Sequence, residues 1–100
     1  MQMVMMVFRT SLENEVLPWV EQEDLAYTRI DGVQGKGDTG TVPESVTWGG
    51  SNSVLLVALS DDRLTQFRDR VRQYQLELER HPRADGVPFH IFVLPCIQWL

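Results

Sequence analysis

The stretch from Ser53 to Leu78 reads SVLLVALSDDRLTQFRDRVRQYQLEL and joins a strand pattern directly to a helix pattern. Its start, residues 53–59, is an almost unbroken apolar run, which is typical of a buried strand. Ser60 can cap the helix that follows, and two aspartates add negative charge to its first turn. Apolar residues then recur on one helical face at Leu64, Phe67, Val71, Tyr74 and Leu78. The stretch therefore predicts a buried β-strand and an amphipathic helix that Pro82 ends.

The beginning of the chain shows the same order of a strand and a helix. Met3–Phe8 is a continuous apolar run of strand length. Thr10-Ser11-Leu12-Glu13 matches the S/T-x-x-E capping box, so we expect a helix with Thr10 as its cap. Its apolar face would hold Leu12, Val16, Trp19 and Val20. Pro18 lacks the N–H that a helix interior needs, so we expect this helix to kink or to end early.

Two further apolar segments predict the remaining strands. Leu25–Ile30 alternates only in part, whereas Phe89–Leu94 is closed by Pro95. Residues 96–100 have the length of a short C-terminal edge strand. The order β-α-β, long loop, β-α-β predicts an α+β fold of the ferredoxin-like βαββαβ type, an antiparallel sheet with two helices on one face. We expect one domain over residues 1–100.

The second face of such a sheet would lie bare in an isolated chain. The predicted strands are apolar at consecutive positions, so both of their faces favour burial. Self-association would cover the second face. Ile97 and Trp99, near the end of the chain, are expected to contribute to that interface.

Composition excludes several classes of protein. Of 100 residues, 43% are hydrophobic and 23% charged, as in an ordinary globular protein. The net charge of −5 disfavours nucleic acid and anionic membrane surfaces as partners. The single cysteine, Cys96, cannot form an intrachain disulfide, so a cytoplasmic location is expected. Met1–Phe8 is too short to insert into a membrane.

A glycine-rich loop is predicted at about residues 35–52. Six of the seven glycines lie between Asp31 and Asn52, where little apolar periodicity is left. Long loops in small domains are usually functional or disordered. Gly35-Lys36-Gly37 can present backbone N–H groups and one ammonium to an anion. Alternatively, the same three residues form a turn that requires positive φ, since no full phosphate-binding motif is present.

The segment YTRIDGVQGKG, residues 27–37, resembles the end of the second strand and the loop entry of PII signalling proteins. Asp85-Gly86 ahead of Ile91-Phe92-Val93 is similar to the B-loop and the following strand of that family. The resemblance implies a homotrimer with clefts between subunits, which in many members bind an adenine nucleotide, and a loop that regulates partner proteins. It implies a ligand-binding set, partly contributed across a subunit boundary, of Thr28, Gln34, Gly35, Lys36, Gly37, Asp85 and Gly86.

The sequence departs from the family pattern at three places. Residues 36–52 contain no tyrosine, so the loop modification known from some members has no acceptor. Val87-Pro88 stands where nucleotide-binding members have Gly-Lys, and the C-terminal segment that ends at Leu100 lacks the basic residues of that family. The resemblance therefore implies the fold and the trimer more directly than nucleotide binding.

These patterns favour a non-enzymatic, PII-like regulatory trimer that binds a small ligand or a partner protein through its loop. No nucleophile with a base and an orienting group is recognisable, and no cofactor is predicted. The alternative is a metal-linked trimer of the CutA type, a related group with the same architecture. His81, His90 and Cys96 are its candidate ligands, although their spacing matches no zinc motif.

Overall fold

A four-stranded antiparallel sheet is the centre of the structure. The computed structural model describes residues 1–35, 51–79 and 89–100. The strands are β1 (Gln2–Arg9), β2 (Thr28–Val33), β3 (Asn52–Leu59) and β4 (Phe89–Pro95), and the helices are α1 (Glu13–Gln22) and α2 (Asp61–Glu79). The strand order β2-β3-β1-β4 confirms the predicted ferredoxin-like α+β fold.

The hydrophobic core lies between one face of the sheet and the two helices. Alternate residues of the central strands β1 and β3 point into it, because side chains along a strand alternate between faces. Completely buried members of this core are Val4, Met6, Phe8, Val16, Val20, Leu55 and Val57. Burying each such side chain contributes about 1.5–3 kcal/mol. The predicted apolar faces of both helices are confirmed wherever their side chains are described.

An aromatic group ties α1, α2 and β4 together. The ring of Tyr74 stacks on that of Trp19 at 5.4 Å and lies 5.6 Å from that of Phe89. Its hydroxyl is buried and has no hydrogen-bond partner within the three described ranges. Burial raises the pKa of Tyr74, and the nearby Glu77 carboxylate raises it further. The ring therefore contributes to the core through stacking, at the cost of a desolvated hydroxyl.

The second strand begins three residues later than the sequence pattern predicted. Leu25 belongs instead to the end of α1, where its N–H donates to the carbonyl of Val20. Asp24, with φ of 54°, takes the left-handed position of this helix-ending motif, and its N–H donates to the Glu21 carbonyl. The side chain of Leu25 packs into the core, so its apolar character reflects helix termination and not a strand.

Gly32 lets β2 continue to Val33 through an irregularity in its pairing with β3. Its φ of +70° is a conformation that other residues reach only at a cost of about 1–2 kcal/mol. A Cβ at Gly32 would meet no atom within 4 Å, so Gly32→Ala tests the backbone alone. We expect Gly32→Ala to lower the free energy of unfolding by about 1 kcal/mol in urea denaturation. Gly35→Ala is the control, because a Cβ there meets only Asn52 Nδ2 at an ordinary 3.5 Å; an equal loss in both variants would contradict this account.

The predicted capping box at Thr10–Glu13 is wrong. Thr10 begins a short 3-10 turn, and α1 starts at Glu13 without a side-chain cap. The Thr10 hydroxyl donates to the Ser51 carbonyl, and the Glu13 carboxylate accepts from Ser53. Both side chains thus bind the neighbouring strand and not the helix terminus. The helix does not end early at Pro18 but continues to Gln22.

The predicted C-terminal edge strand at residues 96–100 is also wrong, since β4 ends at Pro95 and no strand follows. The Cys96 N–H still donates to the Met1 carbonyl at 3.4 Å, which extends the pairing by one residue. Beyond it the side chains of Ile97 and Trp99 are 84% and 93% exposed. Within this chain they therefore bury almost no apolar surface.

The second face of the sheet carries neither helix and is apolar. We call it the open face. The pairing register places Met5 at its centre, opposite Leu56 on β3 and Phe92 on β4. Its apolar members are Met3, Met5, Val7, Ile30, Val54, Leu56, Ala58, Phe92 and Leu94. Three of these on the two edge strands, Ile30, Phe92 and Leu94, are between 43% and 49% exposed.

Candidate functional site

Five polar residues gather where the segment 36–50 leaves and rejoins the sheet. We call Thr10, Glu13, Asp31, Ser51 and Ser53 the loop-base cluster. Asp31 precedes the segment, two serines follow it, and Thr10 with Glu13 lies at the entry to α1. The cluster therefore brings residues from both sides of the segment close to the start of the first helix.

Thr10 holds the end of β1 to the start of β3. Its backbone N–H and its hydroxyl both donate to the Ser51 carbonyl, at 3.2 Å and 2.9 Å. The Thr10 hydroxyl oxygen also lies 3.1 Å from the Ser51 hydroxyl and 3.2 Å from that of Ser53. Since the Thr10 proton goes to the carbonyl, the Ser51 hydroxyl is the donor in their mutual bond. These bonds fix where the segment rejoins the sheet.

Ser53 is the buried donor at the centre of the cluster. It is fully buried, and its hydroxyl donates to Glu13 Oε1 at 2.7 Å. Asp31 Oδ1 lies 3.5 Å from the same hydroxyl, at the outer limit of hydrogen bonding. A serine hydroxyl has one proton, so Ser53 donates its hydrogen bond to the nearer carboxylate, that of Glu13. A bond from a buried hydroxyl to a carboxylate is among the stronger hydrogen bonds in proteins.

The cluster is acidic, with one cation beside it. The Arg29 guanidinium Nε lies 3.3 Å from Asp31 Oδ2, and both side chains are about half exposed. Exposed pairs of this kind contribute about 0–1 kcal/mol. Arg29 therefore compensates the charge of Asp31, while Glu13 relies on the serine hydroxyl. An anionic ligand at this end of the sheet would need further cations.

The structure separates the described members of the predicted ligand-binding set. Thr28 begins β2, whereas Gln34 and Gly35 follow its end, and all three are exposed. Thr28 pairs with Leu56 and Val33 with Asn52, four residues apart on β3, so at about 3.3 Å per residue the two ends of β2 lie about 13 Å apart. Gly35 lies beside Asn52, at the loop-base cluster.

The other four predicted ligand-binding residues, Lys36, Gly37, Asp85 and Gly86, lie outside the described residues, as does His81. The ligand set accordingly stays a prediction. The sequence does not predict the loop-base cluster, because the spacing of Thr10 and Glu13 is also that of a helix cap. The one available signal was Ser53, a polar residue that opens an otherwise apolar strand.

The described ranges hold neither a metal-binding cluster nor a membrane-spanning helix. No group of three or more His, Cys, Asp or Glu side chains there is arranged to hold a metal ion. Cys96 is a partly buried free thiol, and His90 is exposed on the open face. No helix in this part of the chain is long and apolar enough to cross a bilayer.

The arrangement of strands and helices matches solved structures. CPII, a nitrogen regulatory PII-like protein from Thiomonas intermedia, superposes with a TM-score of 0.66 over 92% of this chain and 81% of that one, at 9% identity. A proposed PII-like signalling protein from Thermus thermophilus gives 0.51 over 92% and 82%, at 18% identity. The chain has a PII-like fold. A functionally unknown protein from Pediococcus pentosaceus also matches, with a TM-score of 0.62 over 99% of this chain and 94% of that one, at 10% identity.

The PII-like likeness is one of backbone arrangement. No protein-family model matches the sequence, and no curated protein does. Identities of 9–18% leave the side chains of a site free to differ, so the matches confirm the predicted fold and not its ligand. The CPII structure was solved bound to ADP, AMP and bicarbonate.

Proposed function

We propose that this chain is a non-enzymatic, PII-like regulatory protein that assembles as a homotrimer. The observation that carries the proposal is the apolar open face, whose edge residues are nearly half exposed in the single chain. Apolar faces of this extent on a folded domain mark interaction surfaces. The resemblance of residues 27–37 to PII proteins implies three subunits.

A second copy of the chain fits the open face better than a charged partner. Among its described members the register places only Arg9 and His90 as ionisable groups, both at one end. The centre around Met5 offers nothing to pair with the charges of an acidic or a basic partner. Another apolar sheet face of the same chain matches its chemistry, as in symmetric oligomers.

The proposed ligand is an adenine nucleotide, bound between subunits near Gln34 and Gly35. Assembly would allow Thr28 of one subunit to approach these residues of another, whereas within one chain they lie at opposite ends of β2. Lys36, the only lysine of the chain, would supply an ammonium to the phosphates. Partner proteins would then sense the ligand through the loop.

The proposal is tested by light scattering after size exclusion, followed by calorimetry. The assembled mass should be about three times the 11.5 kDa of one chain. Titration with ADP or AMP should release heat, with GDP as the control for base selectivity, and the nucleotide should be recovered unchanged. Lys36→Ala should weaken ADP binding by about tenfold. The matched control is Arg68→Ala, which removes an exposed cation from α2 and should leave ADP binding unchanged.

Three outcomes would contradict parts of the proposal. A monomer at micromolar concentration would refute assembly. An intact trimer that binds no adenine nucleotide would agree with the proposed assembly but contradict the proposed ligand. Equal loss of affinity in Lys36→Ala and Arg68→Ala would reject the predicted contact with phosphate.

A further inference from the structure

A histidine lies at one end of the open face. His90 is the second residue of β4 and pairs in register with Val7 of β1. Its ring centroid lies 6.2 Å from that of Phe92, the next residue of β4 on this face. The side chain is exposed in the single chain, and an assembly that covers this end of the open face would remove it from water.

The open face holds no acidic partner for a charged His90 among the described residues. On β1, Arg9 lies two residues beyond Val7 on the same face, diagonal to His90 at about 7–8 Å. On β3 and β2 the polar members are Asn52 and Thr28. The nearest ionisable group assigned to the face is therefore a cation, which repels an imidazolium.

We propose that His90 makes assembly of this protein sensitive to acid. The inference rests on the proposed self-association through the open face. A neutral imidazole can be buried beside Val7 and Phe92 at modest cost, whereas an imidazolium loses its hydration and lies near Arg9, with no carboxylate among the described residues of this face. The free chain consequently binds a proton more readily than the assembled one. By linkage, association weakens as the pH falls through the range in which histidines become charged.

The experiment measures the mass of the full chain by sedimentation equilibrium at about pH 8 and about pH 5.5. We expect the concentration at which half of the assembly dissociates to rise by at least about tenfold at the lower pH. His90→Gln keeps a neutral polar side chain and should stay assembled at both pH values. His81→Gln removes the only other histidine and should dissociate like the original chain.

Each alternative outcome has a distinct meaning. If the chain is monomeric at both pH values, the proposed self-association is wrong. If it stays assembled at both, the acid sensitivity is wrong while the proposed function stands. Equal dissociation of the original chain and His90→Gln would assign the effect to other groups and overturn the role of His90. Circular dichroism at both pH values shows that the monomers released remain folded.

Discussion

Met5→Asp should convert the proposed trimer into folded monomers. Met5 lies at the centre of the open face, between Leu56 and Phe92 in the register, and it makes no part of the buried core. In the single chain an aspartate there stays in contact with water, so the fold is retained. In the assembly each subunit would bury an unpaired carboxylate, at a cost of several kcal/mol per copy. We expect the trimer to be undetectable by light scattering at concentrations where the original chain is fully assembled.

Gln66→Asp is the matched control for Met5→Asp. Gln66 is exposed on α2, and the helices cover the opposite face of the sheet. This variant adds the same charge to the chain and should keep the original mass. If Met5→Asp and Gln66→Asp have the same assembled mass, the open face is not the interface. Unchanged far-ultraviolet circular dichroism in both variants separates dissociation from unfolding.

The fold followed from the sequence wherever apolar spacing alone determined the structure. The structure contains the predicted strand at residues 53–59 and the predicted apolar helix face from Leu64 to Tyr74. A buried strand requires a run of apolar residues, and a buried helix face requires apolar residues every three or four positions. The open face was predicted for the same reason. Apolar residues at consecutive strand positions cannot all face one pair of helices, so some of them had to lie on the other side of the sheet.

The errors arose where one pattern serves two structures. An apolar residue such as Leu25 is typical of a strand. It is also typical of the position after the left-handed residue that ends a helix, and Leu25 occupies that position after Asp24. Likewise Thr10 and Glu13 have the spacing of a capping box, but their side chains are also long enough to hydrogen-bond to Ser51 and Ser53. Only tertiary contacts decide between such alternatives. The pairing of Glu13 with Ser53, 40 residues away, leaves no local signal.

The loop-base cluster leads to a second large effect, through Ser53→Ala. This substitution removes the buried hydroxyl that donates to Glu13 at 2.7 Å and leaves that carboxylate without its donor. We expect the free energy of unfolding to fall by about 2 kcal/mol, since hydrogen bonds to charged groups contribute about 1.5–3 kcal/mol. Urea denaturation measures it, in the Met5→Asp background so that assembly does not add to the apparent stability.

Ser51→Ala is the matched control in the same cluster. Among the described residues the Ser51 hydroxyl contacts only Thr10, whose own proton is already donated to a carbonyl, so its removal should cost about 1 kcal/mol or less. A double-mutant cycle of Ser53→Ala with Glu13→Ala should show a coupling of about 1–2 kcal/mol; additive losses would contradict the central role of this bond.

Ser53→Ala also distinguishes a structural role of the loop-base cluster from a role in ligand binding. Ser53 follows the segment 36–50, and its hydroxyl oxygen lies 3.5 Å from Oδ1 of Asp31, which precedes that segment. If the cluster positions Gln34 and Gly35 for a ligand, Ser53→Ala in the assembled protein should weaken ADP binding while Gln66→Asp does not. Because ligand binding needs these residues ordered, the loss should appear as a less favourable binding entropy. A trimer of Ser53→Ala that binds ADP as tightly as the original chain would limit the cluster to stabilising the fold.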